Sequence, residues 1–355
     1  YEETPSIGQF MREWSSIYES HSGERGIFNR KAAQDQAAKN GRRDADQLFG
    51  TNPCSEIILR PYQFCNLTEA VVRHDDTKET LLRKVRIAAI LGTIQSTFTK
   101  FPYLRKVWQR NTEEERLLGV SLTGIYDNPL LTTQGPELND LLATLREEAR
   151  KANEEFAGLL GVPTSAAITC VKPSGTVSQL VDSASGIHPR HSKYYIRRVR
   201  GDKKDPLTQF LIQQGVPSEA CVYKPDQTVV FSFPQKAPAG ITRSDVSPVS
   251  HLELWLTYQR HWCEHKPSVT ISVEERDWPS VGAWTWEHFS EISGVSYLPY
   301  DGGTYRQAPY EECEEADYEK LKASIPHINW EDFKENTDNV EGAQQLACSA
   351  GVCEI

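Results

Sequence analysis

Apolar residues recur at helical spacing from the start of the chain. Ile7, Phe10, Met11, Trp14, Ile17 and Tyr18 fall on one face, and Thr4-Pro5 ahead of them reads as a cap followed by proline in the first turn. The spacing predicts an amphipathic helix over 5–20. Ser22-Gly23-Glu24-Arg25-Gly26 reads as a turn, and an alanine-rich stretch over 30–40, ended by Gly41, as a second helix. Long helices are predicted over 78–98 and over 136–160, the latter opened by Pro136. Shorter ones are predicted over 204–215, 248–264 and 283–292. Apolar, β-branched runs predict strands over 57–59, 118–122, 166–171, 229–231 and 269–273. This alternation predicts an α/β fold of parallel strands joined by helices. Residues 234–248 are rich in proline and glycine and read as a surface loop. From about Glu331 the chain turns polar, and 341–355 is rich in small residues, as in a flexible tail.

Composition narrows the class. The chain has 355 residues, 38% hydrophobic and 25% charged, which fits one large or two ordinary domains of a globular protein. A net charge of -10 argues against a general nucleic-acid surface. No apolar run approaches the roughly 18 residues that would span a membrane. The opening Tyr1-Glu2-Glu3-Thr4-Pro5 does not read as a signal peptide, so a cytoplasmic location is expected. The chain does not start with Met, and Met11 falls inside a predicted helix, so a piece of a longer protein is expected. The eight cysteines (Cys54, Cys65, Cys170, Cys221, Cys263, Cys313, Cys348 and Cys353) are expected as reduced thiols rather than a disulfide scaffold.

Two cysteine pairs carry the candidate chemistry. Asn52-Pro53-Cys54-Ser55-Glu56 is followed eleven positions after Cys54 by Cys65, on a loop over about 50–66 that leads into a strand. In an extended segment Asn52, Cys54 and Glu56 would share one side, so amide, thiol and carboxylate could converge on a substrate. Pro53 favours extended backbone at Asn52. A buried thiol beside a solvated carboxylate is the plainer reading, and this pair alone does not separate the two. Cys348 and Cys353 form the second pair, near the chain end, where a thiol relay needs them. Lys172-Pro173-Ser174-Gly175-Thr176 follows a predicted strand, and the backbone of such a turn can cradle phosphate. It lacks the spacing of a Walker A loop. His261, Cys263 and His265 invite a metal reading, but nothing nearby completes a ligand set, and no metal is assigned.

These motifs together resemble the ribonucleotide reductases. The cysteine loop 52–57 with Phe64-Cys65-Asn66-Leu67 resembles that family's active-site loop. Residues 22–29, 171–176, Ser185-Gly186-Ile187-His188-Pro189, 262–270 and the paired tail cysteines match further motifs in order. The Lys-Pro-Ser-Gly-Thr run and Tyr194-Tyr195-Ile196-Arg197-Arg198 look like the class II, adenosylcobalamin-dependent branch, closest to the monomeric ribonucleoside-triphosphate reductases.

The resemblance implies roles for matching positions. Cys54 would carry a thiyl radical that takes the ribose 3′ hydrogen. Glu56 would take the 3′-hydroxyl proton, Asn52 would hold the ribose hydroxyls, and Cys65 would be half of the reducing dithiol. Cys348 and Cys353 would pass electrons to that dithiol from a thioredoxin-like reductant. Pro173, Ser174, Gly175 and Thr176 would hold the substrate phosphates. The implied fold is the second half of a ten-stranded α/β barrel with a central cysteine finger loop. Residues 1–330 would form that catalytic half and 331–355 a flexible redox tail. The strand bearing the partner of Cys65, and the effector region, lie in the half this chain does not match. The implied partners are a ribonucleotide substrate and an N-terminal half-barrel chain, with no nucleic acid and no membrane. The implied function is that of the catalytic C-terminal part of a split or fragmentary reductase. The competing readings are a class I large-chain piece, which lacks support because the tyrosine-relay segment is not visible, and a non-catalytic assembly subunit.

Overall fold

The computed structural model describes all residues except 2, 24, 239–240, 301–305, 335–347, 350–351 and 354–355, and only the backbone of 348–349 and 352–353. Contacts divide the chain into two units. The first comprises Tyr1–Pro189 and Asp245–Asp301, the second Arg190–Ser244 and the segment from Gly302.

The first unit is built on parallel strands. β1 (Asn66–Val71), β2 (Leu118–Thr123) and β3 (Thr169–Cys170) pair in parallel with β2 in the middle. A parallel bridge from Val171 to Pro267 continues beside β3. Beyond Pro267 lies β4 (Thr270–Glu274), which pairs in parallel with β5 (Val295–Tyr300). The short strand Gly26–Ile27 runs antiparallel to β5. Every residue of β2 is buried, as expected of a parallel strand covered on both faces.

Helices supply the cover. α1 (Lys78–Gln95) starts at a capping box made by Thr77 and Thr80 and buries Leu81, Val85, Ala88 and Ala89. α2 (Lys106–Glu115) follows, and its C-cap Arg116 is left-handed. α3 (Pro136–Leu160) begins with proline in its first turn and stops at left-handed Gly161, so both predicted ends hold. α4 (Pro248–His261) and α5 (Trp278–Glu287) complete the layer. The opening helix spans Ile7–Glu19 and buries Phe10, Trp14 and Ile17. Its cap is Ser6, paired with Gln9 in a capping box, rather than Thr4.

The second unit departs from the parallel expectation. Its sheet runs in the order Tyr310–Glu312, Tyr194–Asp202, Thr228–Lys236 and Ser218–Ala220, antiparallel throughout. The strand Thr228–Lys236 runs on to residue 236, into the stretch expected as loop, with Pro234 opposite Ile196. Across both units the fold is mixed α/β. Among the described residues no helix is long and apolar enough to cross a membrane.

Candidate active site

The cysteine loop is the tip of a hairpin. Gly50 and Thr51 pair antiparallel with Leu59 and Ile58, which leaves residues 52–57 as the turn. The segment is not extended, in contrast to the sequence expectation. The Ser55 amide donates to the Asn52 carbonyl at 2.9 Å, with Pro53 and Cys54 between them. Ser55 then takes a left-handed φ of 67°. The Asn52 side-chain oxygen accepts the Ile57 amide at 3.0 Å and closes the tip from within. Asn-Pro is turn chemistry: proline presets the second position and asparagine bonds the backbone beyond it. The consequence is a separation by depth. Cys54 is exposed, while Glu56 is wholly buried, at 0% exposure.

A set of polar contacts anchors this hairpin. Nδ1 of His265 accepts the Ile58 amide, and its other nitrogen bonds the Leu118 carbonyl. Arg43 donates to the Ile58 carbonyl at 2.9 Å and grips Glu115 through Nε and Nη2 at 3.2 and 3.0 Å. Ser268 Oγ donates to the Cys54 carbonyl at 2.6 Å. Lys266 donates its amide to the Glu56 carbonyl at 3.2 Å and its Nζ to Ser55 Oγ at 2.9 Å.

Sheet register brings the second thiol to the loop. Leu67 lies opposite Gly119, Glu69 opposite Ser121, and Ser121 opposite Cys170, so these side chains share one sheet face. Cys65, two residues before Leu67, belongs to the same alternation. A Cβ on Gly119 would come 3.0 Å from Ile57 Cδ1 and 3.2 Å from Cys65 Sγ. Glycine there is what lets the loop and Cys65 close against β2.

Charge links the cluster. Burial first, and then the Glu56 carboxylate, raise the Cys54 thiol above its ordinary value, while Lys172 pulls it down. The Cys65 thiol is pushed up by burial and then by Glu56, with Arg43 opposing. Cys170, fully buried, is raised by burial and then by Glu56 and Cys65. Both Glu56 oxygens are buried and find no hydrogen-bond partner among the described residues. A carboxylate held this way is short of donors.

The 172–176 loop sits on the same face. The Lys172 amide donates to Ser121 Oγ at 2.8 Å, and Lys172 Nζ lies 3.2 Å from Glu69 Oε1. Ser174 is buried, left-handed, and gives its hydroxyl to Glu69 Oε2. Pro173 is buried, Gly175 half-buried and Thr176 exposed. The Ser174 hydroxyl is thus engaged by a carboxylate.

Other expected groups fall elsewhere. α4 ends at His261, so His261 and His265 do not share a helix face; His265 is a buried clamp instead. Cys348 and Cys353 are backbone partners across a two-residue antiparallel ladder, and their side chains lie outside the described residues, as do 335–347 of the expected tail. Lys266, Ser268, His265 and Glu69 belong to the site; the sequence weighed His265 only as a metal ligand and did not single out the other three. The stretch 262–270 marked the first three, but only through its resemblance.

No family model matches the chain. An adenosylcobalamin-dependent ribonucleoside-triphosphate reductase of Lactobacillus delbrueckii subsp. bulgaricus is 30% identical over 339 residues, 86% of this chain and 45% of the relative. That of Levilactobacillus brevis is 27% identical over 372 residues, 94% of this chain and 49% of the relative. A crystal structure of a B12-dependent (class II) ribonucleotide reductase superposes with a TM-score of 0.74 at 26% identity, covering 90% of this chain and 48% of that one. The chain is similar to class II ribonucleotide reductases over nearly its whole length. It spans somewhat under half the length of these relatives. The class Id reductase alpha subunit of Actinobacillus ureae shares the fold, with a TM-score of 0.57 at 16% identity.

Proposed function

We propose that this chain is the catalytic C-terminal part of an adenosylcobalamin-dependent ribonucleotide reductase, working with a separate chain or segment that carries the other half. The observation that carries this reading is the layering of the hairpin tip: an exposed Cys54 above a sealed Glu56, with Cys65 on the adjoining sheet face. The five parallel strands β1 to β5 read as the second half of a ten-stranded barrel, with the hairpin as its finger loop. Residues 1–330 would be the catalytic part and 331–355 the redox tail.

Cys54, as a thiyl radical, takes the 3′ hydrogen atom of the ribose and becomes a thiol. Glu56 takes the 3′-hydroxyl proton, a task suited to a dry carboxylate without donors around it. Asn52 orients the ribose hydroxyls. The 2′-hydroxyl leaves as water with a thiol proton. Cys65 and a thiol from the other half give up two electrons and a second proton and close as a disulfide, C2′ gains a hydrogen, Glu56 gives its proton back to the 3′-oxygen, and Cys54 returns a hydrogen atom to C3′. Cys348 and Cys353 then reduce that disulfide by exchange and are re-reduced by a thioredoxin-like protein. Pro173, Ser174, Gly175 and Thr176 receive the substrate phosphates, which requires Ser174 to exchange Glu69 for the ligand.

Adenosylcobalamin, when bound, supplies the radical that Cys54 carries. The exposed tip fits it: a bulky group can reach Cys54 without opening the hairpin, whereas Glu56 has to be uncovered for the ribose to reach it. Cys54 is the residue that would face it.

The test is anaerobic reduction of the four ribonucleotides with adenosylcobalamin and a dithiol, by the chain alone and with a candidate N-terminal half. Activity in the mixture only is expected. No activity in either case would overturn the reading.

A further inference from the structure

The carboxylate of Glu69 sits on two donors of the 172–176 loop at once. Glu69 lies on β1, on the sheet face it shares with Ser121 and Cys170. Its Oε1 is 3.2 Å from Lys172 Nζ, and its Oε2 accepts the Ser174 hydroxyl. Ser174 is buried at 1% exposure, and the Glu69 side chain is 11% exposed. An ammonium and a hydroxyl converging on one anion make a set that suits a phosphate equally well.

The loop does not depend on Glu69 for its backbone. The Val171 amide donates to the Lys266 carbonyl at 3.3 Å, and the Lys172 amide to Ser121 Oγ at 2.8 Å. Ser185 Oγ donates to the Pro173 carbonyl. The Ser178 amide donates to the Ser174 carbonyl at 2.8 Å, and Ser178 Oγ to the Gly175 carbonyl at 2.8 Å. These bonds fix the chain from 171 to 178. The Glu69 carboxylate, in contrast, reaches only side-chain ends. It therefore reads as an occupant of the loop and not as its strut.

We infer that Glu69 is a built-in competitor at this loop: its carboxylate holds Lys172 and Ser174 until a polyphosphate displaces it, and so sets the affinity for the substrate's phosphates. This rests on the reading above that residues 173–176 receive them. The Ser174 hydroxyl carries a single proton and serves one acceptor at a time, so the exchange there is exclusive. Lys172 has three ammonium hydrogens and can turn one to a phosphate while keeping Glu69. The carboxylate also repels an incoming phosphate, because both carry negative charge. Both effects have the same sign. Removing the charge of Glu69 tightens phosphate binding, whereas damage to the loop would weaken it.

Calorimetric titration of the full chain with inorganic tripolyphosphate, at fixed ionic strength, tests the direction. Glu69→Gln keeps the shape and drops the charge, and Glu69→Ala drops both. Each is expected to bind about tenfold tighter than the parent, the size of one hydrogen bond to a charged group. If Glu69→Ala fails to fold, the isosteric Glu69→Gln carries the test. Glu319→Gln removes the same charge from an exposed position on the helix Glu315–Ser324 and should change nothing. Unchanged or weaker binding in the Glu69 variants, or equal tightening by Glu319→Gln, would overturn the inference. Lys172→Met separates it from the reading beneath it. Binding that Lys172→Met abolishes, with no gain in the Glu69 variants, sinks the competitor and leaves the loop as the phosphate site. Binding indifferent to Lys172→Met in every background, or no binding by any variant, sinks both. The titration needs no turnover, so absent nucleotide reduction with the tightening intact would sink the reductase reading alone.

Discussion

Nδ1 of His265 accepts the backbone amide of Ile58 at 3.3 Å. An imidazole that accepts on one nitrogen and stays neutral must carry its proton on the other, so Nε2 donates to the Leu118 carbonyl at 2.9 Å. One ring therefore ties the cysteine hairpin to β2. Replacing it with alanine would leave a buried amide and a buried carbonyl unpaired. His265→Ala is expected to lose about 3 kcal/mol of stability, by urea denaturation. The same variant should also speed proteolytic cutting within 52–64, since the hairpin loses its clamp. Unchanged stability would show that the ring is a bystander.

Acid should loosen this fold before it protonates most carboxylates. Burial is the first cause that lowers His265 to about 3 and His251 to about 3, and it lowers His188 as well. These rings are neutral when folded, whereas in the unfolded chain they take protons near 6.5. Their contribution to stability is full above 6.5 and falls as pH drops from there toward the folded values. Each contributes a slope of up to about 1.4 kcal/mol per pH unit within that window. Urea midpoints are expected to decline as pH falls below 6.5, less steeply in His265→Gln. A flat profile down to pH 5 would contradict the assignment.

Much of the first unit was legible in the sequence because periodicity and punctuation agreed. Leu138, Leu141, Leu142 and Leu145 repeat with the helix, Pro136 starts it and Gly161 stops it. The strand Tyr194–Asp202 was not legible, because Arg197, Arg198 and Arg200 interrupt its apolar pattern and it is half-buried. α5 was expected five residues too late, since Pro279 at its start outranks the later apolar run. At the site, the thiols and the carboxylate could be read as chemistry, but their relative depth could not. Asn52-Pro53 dictated a turn where alternation suggested an extended edge. Lys266 gave no local sign of burial, because the slot beneath Gly294 exists only in the folded chain.

Gly186 holds the 172–176 loop in place. It sits at a φ of 55°, and a Cβ would come 2.3 Å from the Lys172 carbonyl oxygen. Backbone on both sides leaves no flexible atom to give way. Gly186→Ala is expected to cost about 2–4 kcal/mol and to shift Lys172 and Ser174. If that loop receives the substrate phosphates, the assembled enzyme should show KM for ribonucleotides rising about tenfold, with kcat much less affected. A loss confined to kcat would place the phosphates elsewhere.

Cys65 and Cys170 point from the same sheet face, and both feel the charge of Glu56. Only one is placed for exchange chemistry. Cys65 is half-buried where the hairpin enters β1, while Cys170 is fully buried on β3. A dithiol that must be reduced again each turnover needs a sulfur that another thiolate can reach. In the assembled enzyme, Cys65→Ser is expected to abolish turnover, while Cys170→Ser should stay within about twofold of the parent rate. Anaerobic deoxyribonucleotide formation with the other half supplied measures both. Retained activity in Cys65→Ser together with loss in Cys170→Ser would exchange the two roles. Retained activity in both would mean that the reducing pair lies wholly in the other half, and that this chain contributes the radical thiol and the base alone.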